Sequence, residues 1–270
     1  MSNPGLPAGR WQDFTTAELA HLDAERCVAL LPVAAVEQHG PHLPVGTDAL
    51  INAALVDALL AQQRPGLIAL PAMPVGHSLE HGDFPGTLSI GAEALLSAWE
   101  SIGASLVRSG ARKLVILNTH GGNIPLVQLA ALRLRASHSL LVVRGNYFAF
   151  GAPEGLFPVD ELRDGLHGGE METSLMLHLY PHLVRREQFA RFDALPAQLA
   201  RRNRWLGAEK PVGIGWLSQD LHPEGVCGNA ARADAVRGRK LFEHLVEALL
   251  GLLDEVVATS LETLRQRPTA

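Results

Sequence analysis

Cysteine is scarce in this 270-residue sequence, with Cys27 and Cys227 as the two thiols. They lie far apart, and Cys27 opens an apolar run that reads as a buried strand, so no disulfide framework is expected. No thiolate lies beside the metal-ligand types described below, which argues against a closed structural zinc site. Charge is thin as well. The 23 basic and 28 acidic residues leave a net charge of −5, and no run of Lys or Arg forms a stripe. Neither nucleic acid nor an anionic membrane is therefore favoured as a partner. The sequence also lacks an uncharged stretch long enough to span a bilayer, and Met1 to Phe14 is polar and Pro/Gly-bearing, without the apolar centre of a signal peptide. Cytoplasm is the expected location, and internal repeats and low-complexity segments are absent.

What the sequence does have is a large apolar fraction. At 47% hydrophobic and 19% charged, residues 1–270 can bury one large core and read as one domain. Cys27 to Val33, Leu67 to Ala72, Lys113 to Asn118 and Ser139 to Arg144 are short apolar runs that predict strands. Asp48 to Ala61, Ala92 to Ser109 and Ile124 to Ser137 carry apolar residues at three- and four-residue spacing and predict helices. Alternation of this kind implies an α/β fold with a mainly parallel sheet covered by helices on both faces. After Gly145 the chain turns Gly- and Pro-rich, resumes as a helix over about Glu170 to Leu179, and is irregular again through Gly225. A final amphipathic helix, about Ala231 to Ala258, places Arg232, Arg237, Arg239 and Lys240 on a solvated face.

Six of the twelve histidines, His39, His42, His77, His81, His120 and His167, fall in Gly/Pro-rich connections. Ligands of open α/β sheets bind beyond the carboxyl ends of the strands, so His39, His77, His81 and His120 should face one crevice. The loop Glu37-Gln-His-Gly-Pro-His-Leu-Pro-Val-Gly-Thr-Asp48 concentrates three strong donors. Glu37 and His39, two apart in extended backbone, project to one side, and the turn residues can fold Asp48 back towards them. Oxygen and imidazole donors suit zinc, manganese or iron better than calcium.

Asn118-Thr-His120-Gly-Gly-Asn123 ends a strand and opens a helix. Its glycines let backbone approach a ligand, but the Lys and Ser/Thr of a phosphate-binding P-loop are missing. His167-Gly-Gly-Glu170-Met-Glu172-Thr-Ser174 adds an imidazole and two carboxylates, which could equally serve the dipole of the following helix. Gly76 to Thr87, a polar, turn-rich segment, reads as a pocket wall. Ser78 and Ser174 lie in no Gly-x-Ser-x-Gly elbow, so a serine nucleophile is not expected.

Taken together, Leu31-Pro-Val33, Glu37-Gln-His-Gly-Pro-His-Leu-Pro44, Thr47-Asp48, Phe84-Pro-Gly-Thr87, Asn118-x-His120-Gly-Gly-Asn123 and His167-Gly-Gly-Glu-x-Glu-Thr-Ser174 resemble the creatininase family of metal-dependent amidohydrolases. Six motifs in the same order carry the resemblance. It implies a three-layer α/β sandwich, a homohexamer, and a site for two divalent ions, zinc or manganese with iron also compatible. By resemblance Glu37, His39, Asp48 and His120 are ligands, with Asp48 bridging. Creatininase has an acidic ligand where this chain has Gly122; many family members with the Gly-Gly-Asn version carry a glutamate at the place of Glu170, so the resemblance implies Glu170 as the fifth ligand. Creatininase also has tryptophans in the stretches matching Asn146 to Phe150 and Leu162 to Leu166, where this chain has Tyr147 and Phe148 and then no aromatic.

The implied chemistry is hydrolysis of a C–N amide bond in a small substrate, such as a cyclic amide or formamide, by a hydroxide held between two ions. The alternatives are trimming of a peptide end and a non-catalytic binder of metal or small ligand. His167 is expected to carry the proton to the leaving nitrogen, with Glu172 orienting it. His77, Ser78, His81, Gly121, Gly122 and Tyr147 are the expected substrate-binding residues. His42 is either a support for the site or a packed residue.

Overall fold

The computed structural model describes residues 6–265; Met1 to Gly5, the start of the polar opening segment, lie outside the described residues. Five parallel strands form the main sheet: β1 (Gly9–Arg10), β2 (Val28–Val33), β3 (Leu67–Ala69), β4 (Lys113–Asn118) and β5 (Leu141–Asn146). Their order is β1-β3-β2-β4-β5. A short antiparallel pair, β6 (Arg191–Phe192) and β7 (Gly228–Asn229), stands apart. The helices are α1 (Thr16–Leu19), α2 (Thr47–Ala61), α3 (Ala92–Arg108), α4 (Ile124–His138), α5 (Val159–Asp164), α6 (Glu170–Leu179), α7 (Leu195–Arg202), α8 (Ser218–Leu221) and α9 (Ala235–Ala258). None is long and apolar enough to cross a membrane.

The continuous apolar runs of β2 and β4 follow from burial on both faces. Val28, Leu30, Val115 and Leu117 point into a core shared with α2, α6 and α9, whereas Ala29, Leu31, Val33, Leu114 and Ile116 pack beneath α3 and α4. The result is the three-layer α/β sandwich expected from the sequence. The four apolar runs fall on β2 to β5, although β3 ends at Ala69 and β5 is shifted two residues along, to Leu141–Asn146.

Two differences have physical causes. The last helix starts at Ala235, not Ala231, because the Asp234 carboxylate accepts the Val236 and Arg237 backbone N–H groups and caps it there. Strand β1, two residues long, carries no periodicity, yet Gly9 and Arg10 align with Ile68 and Ala69 of β3.

Strand order explains where the site lies. After β2 the chain crosses over α2 to β3 on one side, then returns over α3 to β4 on the other side of β2. The carboxyl ends of β2 and β4 thus flank the point where the winding reverses, which is where open α/β sheets leave a crevice. The Glu37 loop follows β2, and His120 follows β4.

Candidate metal centre

The loop after β2 folds back on itself because the Glu37 N–H donates to the Val45 carbonyl at 2.8 Å. Gly40 supplies the left-handed turn, φ +70°, and Thr47 starts α2 with Asp48 in its first turn. Glu37, His39 and Asp48 are thereby all buried, at 1%, 1% and 2% exposure. From β4, the Asn118 amide donates to the His120 carbonyl at 2.7 Å and its oxygen accepts the His120 N–H, fixing the turn that carries the imidazole. From the other side, His167 and α6 bring Glu172.

Each of three histidines fastens one ring nitrogen to a backbone carbonyl and aims the other at carboxylates. His39 donates from Nδ1 to the Glu37 carbonyl at 3.1 Å, His120 from Nε2 to His77 at 2.9 Å, and His167 from Nε2 to Gln38 at 2.7 Å. The inward nitrogens then face oxygen: His39 Nε2 is 3.4 Å from Asp48 Oδ1, His120 Nδ1 is 3.2 Å from Glu37 Oε1 and 3.3 Å from Asp48 Oδ2, and His167 Nδ1 is 3.7 Å from Glu37 Oε1. A lone pair opposed to a carboxylate repels it, so the closer contacts, those of His39 and His120, need a proton or a cation between them. Metal-ligating imidazoles are commonly oriented by such outer carbonyl bonds.

Donor atoms of Glu37, Asp48 and His120 lie within 4.8 Å of one another, as do those of His39, Asp48 and Glu172. Asp48 belongs to both groups, the bridging place implied by the resemblance. A third grouping joins Glu37, His39 and His167. Glu37 Oε2, His39 Nε2 and Asp48 Oδ2 are buried without a hydrogen-bond partner among the described residues. The donor set and the orphaned atoms fit divalent cations.

Proton affinities carry the same signature. Burial alone would depress His39, but the Asp48 carboxylate, helped by Glu172 and Glu37, raises it to about 9. Burial opposes ionisation of Glu37 too, yet the facing His120 holds it well below the usual carboxylate range. His167 goes the other way: burial, with His39 and His81 beside it, keeps it neutral. Burial also takes His81 down to about 4.

The Glu170 expectation does not match its placement. Glu170 is wholly buried and its carboxylate is taken by the Arg237 guanidinium, with Arg232 3.9 Å away. It lines a cavity of about 110 Å³ with Glu161, Arg191 and Asn229, and no histidine lines it. Helical geometry explains the difference: two residues along α6, Glu172 points to the opposite side, where its Oε2 accepts the Gly168 N–H at 2.6 Å. Glu172 therefore stands with His39 and Asp48 and not, as expected, behind His167, whose Nε2 is held by the Gln38 carbonyl instead. Arg237, expected on a solvated face, is turned inward by the same pair.

Several expected substrate contacts are also placed differently. Tyr147 is buried beneath Glu172, its hydroxyl donating to Oε1 at 3.4 Å, and the neighbouring Phe148 is the exposed ring. Ser78 is fully buried, with Oγ 3.4 Å from His120 Nε2, so it backs the imidazole. His77 is partly exposed and bonded through Nδ1 to the Ile90 carbonyl. His81 accepts the Gln38 side-chain N–H at Nδ1, 2.8 Å, which leaves its Nε2–H facing Glu37 Oε1 at 3.4 Å. Gly121 is exposed and uncrowded. A side chain at Gly122 would meet Glu80 Oε1 at 2.3 Å and His120 Nε2 at 2.5 Å. His42, buried between Phe189 and Phe192, donates to the Gly168 carbonyl at 3.0 Å and ties the two halves of the site together.

Sequence reasoning passed over Gln38, Glu80 and Glu161. Glu161 is a buried carboxylate that accepts the Glu170 and Asn229 N–H groups, at 2.6 and 2.9 Å, and so holds the start of α6. Nothing in Val159–Asp164 distinguishes it from a charged surface turn.

A family model described as creatinine amidohydrolase matches residues 12–253. The chain belongs to the creatininase family. Among its relatives, a mycofactocin precursor peptide peptidase from Mycobacterium ulcerans (strain Agy99) is 34% identical over 226 residues, covering 81% of each chain. A creatinine amidohydrolase from Pseudomonas putida is 32% identical over 215 residues, covering 71% of this chain and 80% of that one. A creatininase variant of Zn-Zn type superposes with a TM-score of 0.74 at 26% identity, covering 93% of this chain and 98% of that one. The creatininase fold and the hydrolase class of this chain rest on these likenesses.

Proposed function

We propose that this creatininase-family hydrolase cleaves an amide bond near the end of a peptide. Two divalent ions, zinc or manganese, would be held by Glu37, Asp48 and His120 and by His39, Asp48 and Glu172. The observation that carries the reading is the arrangement of His39, His120 and His167, each fixed to a carbonyl by one nitrogen and aimed by the other into the carboxylate cluster. When bound, such ions polarise a carbonyl and make water a nucleophile at neutral pH. The chain's residues supply the rest. His167, neutral and anchored by Gln38, has Nδ1 free to take a proton and return it to the leaving nitrogen. His81 holds Glu37 through Nε2–H, and Tyr147 and the Gly168 N–H hold Glu172.

Support for a peptide comes from the mycofactocin precursor peptide peptidases, which the chain resembles over four-fifths of its length. The Pseudomonas putida relative favours a second reading, hydrolysis of a small cyclic amide. Gly122, with Glu80 in the space a side chain there would fill, separates this site from the creatininase pattern. The deciding experiment strips the protein with chelator, restores zinc or manganese, and offers creatinine, formamides, lactams and short peptides. Metal-dependent release of a peptide end supports the proposal. Turnover of creatinine or a lactam alone selects the second reading, and tight metal binding without turnover of any amide leaves a binder.

A further inference from the structure

The segment 203–221, between α7 and the end of α8, has no part in the metal cluster, yet it delivers an indole to it. The Trp216 ring meets His81 edge-on, with centroids 6.5 Å apart and planes at 79°. His81 lies 4.3 Å, ring to ring, from His167 and faces Glu37 with its Nε2. One imidazole therefore separates Trp216 from the cluster. The indole is fixed at both ends: Nε1–H donates to Glu209 Oε1 at 2.9 Å, and the ring packs on the small apolar cluster that includes Leu221 and Cys227. The Cys227 N–H in turn donates to the His167 carbonyl at 2.8 Å. A second tie joins the segment to the loop carrying His81, where Gln219 Nε2 donates to Asp83 Oδ2 at 2.6 Å. Beside His81 on that loop, Leu79 stands 67% exposed.

An indole held this firmly, half-buried and one ring from the cluster, adds apolar surface to a site otherwise built from charged and polar groups. Pockets combine such surface with a few polar groups so that the apolar part selects the ligand. We propose that Trp216 is a specificity-determining residue, the wall against which an apolar or aromatic side chain flanking the scissile amide packs. The inference rests on the amide-hydrolase reading above, since it needs a bond to be cleaved at the cluster.

The test uses metal-loaded full-length protein and two acetylated tetrapeptides that differ only in Phe or Gly at the penultimate position. Wild type should prefer the Phe peptide. Trp216→Ala should cut the Phe-to-Gly ratio of kcat/KM by about ten- to a hundredfold, chiefly through KM, while Trp216→Phe restores most of it. Metal content of both variants, measured alongside, should equal that of wild type and show that the fold and cluster survive. If wild type cleaves both peptides without preference, or Trp216→Ala lowers both equally, Trp216 is not the selecting wall although the hydrolase reading stands. If wild type cleaves neither, the peptide reading fails and takes this inference with it.

Discussion

Two glutamates one turn-half apart on α6 should behave as opposites when each is made an amide. Glu172 stands with His39 and Asp48, so Glu172→Gln removes a charged donor while its side-chain oxygen can still accept the Gly168 N–H. The fold should survive and the second ion should be lost. Displacing even an outer-shell partner weakens metal binding 10–100-fold, so losing a donor atom should cost at least about a hundredfold. Glu170→Gln instead leaves the Arg237 guanidinium without its carboxylate. Breaking a wholly buried pair costs about 3–5 kcal/mol, but Arg237 is 23% exposed and can partly rehydrate, so about 2–3 kcal/mol is expected. For a chain of this size that lowers Tm by about 5–10 °C. Metal per chain after dialysis and a thermal melt separate the two: Glu172→Gln should hold one ion and melt near wild type, and Glu170→Gln should hold two and melt early. The reverse pattern would refute the assignment of Glu172 to the cluster.

Gly238→Ala should destabilise the fold, although alanine normally favours a helix, because a Cβ there would sit 1.8 Å from the Ser174 carbonyl oxygen where α9 crosses α6. A loss of at least about 2 kcal/mol in denaturant melts is expected, at the upper end of overpacking costs, and a gain would contradict the crossing. His42 contributes to acid sensitivity together with the other buried neutral imidazoles, His81 and His167. Burial lowers His42 to about 4 against an unfolded value near 6.5, so the unfolded chain binds the proton first and stability is lost as pH falls from about 6.5 towards 4, by up to about 3 kcal/mol. His42→Gln should make that dependence shallower, with His81 and His167 keeping the remainder, in denaturant midpoints at pH 7 and 5; parallel curves would contradict it. Gly122→Asp should lower Tm and add no metal to the two ions, because Glu80 and His120 occupy the space.

The layers of the fold could be read from sequence because β2, β4 and the helices around them obey simple periodicities that burial on two faces enforces. Glu37, His39, Asp48 and His120 were legible for a related reason: they sit at strand ends or helix starts, where topology alone brings them together. Choosing between Glu170 and Glu172 required the helix phase, which two acidic residues in one turn do not reveal. Tyr147 lay in a stretch whose order of buried and exposed rings the sequence does not mark. Gln38, Glu161 and Trp216 were invisible for another reason: their partners, Gly225, Asn229 and His81, lie 68 to 187 residues away.

The central claim is that one cluster holds two ions and that both are needed for amide hydrolysis. Titrating chelator-stripped protein with Mn²⁺ in a calorimeter, with hydrolysis of the acetylated Phe tetrapeptide read at each addition, tests it directly. Two equivalents should bind, protons should be released as His39 gives up its own, and turnover should rise with the second equivalent. Absence of Mn²⁺ binding, or turnover that persists in fully stripped protein, would contradict the account.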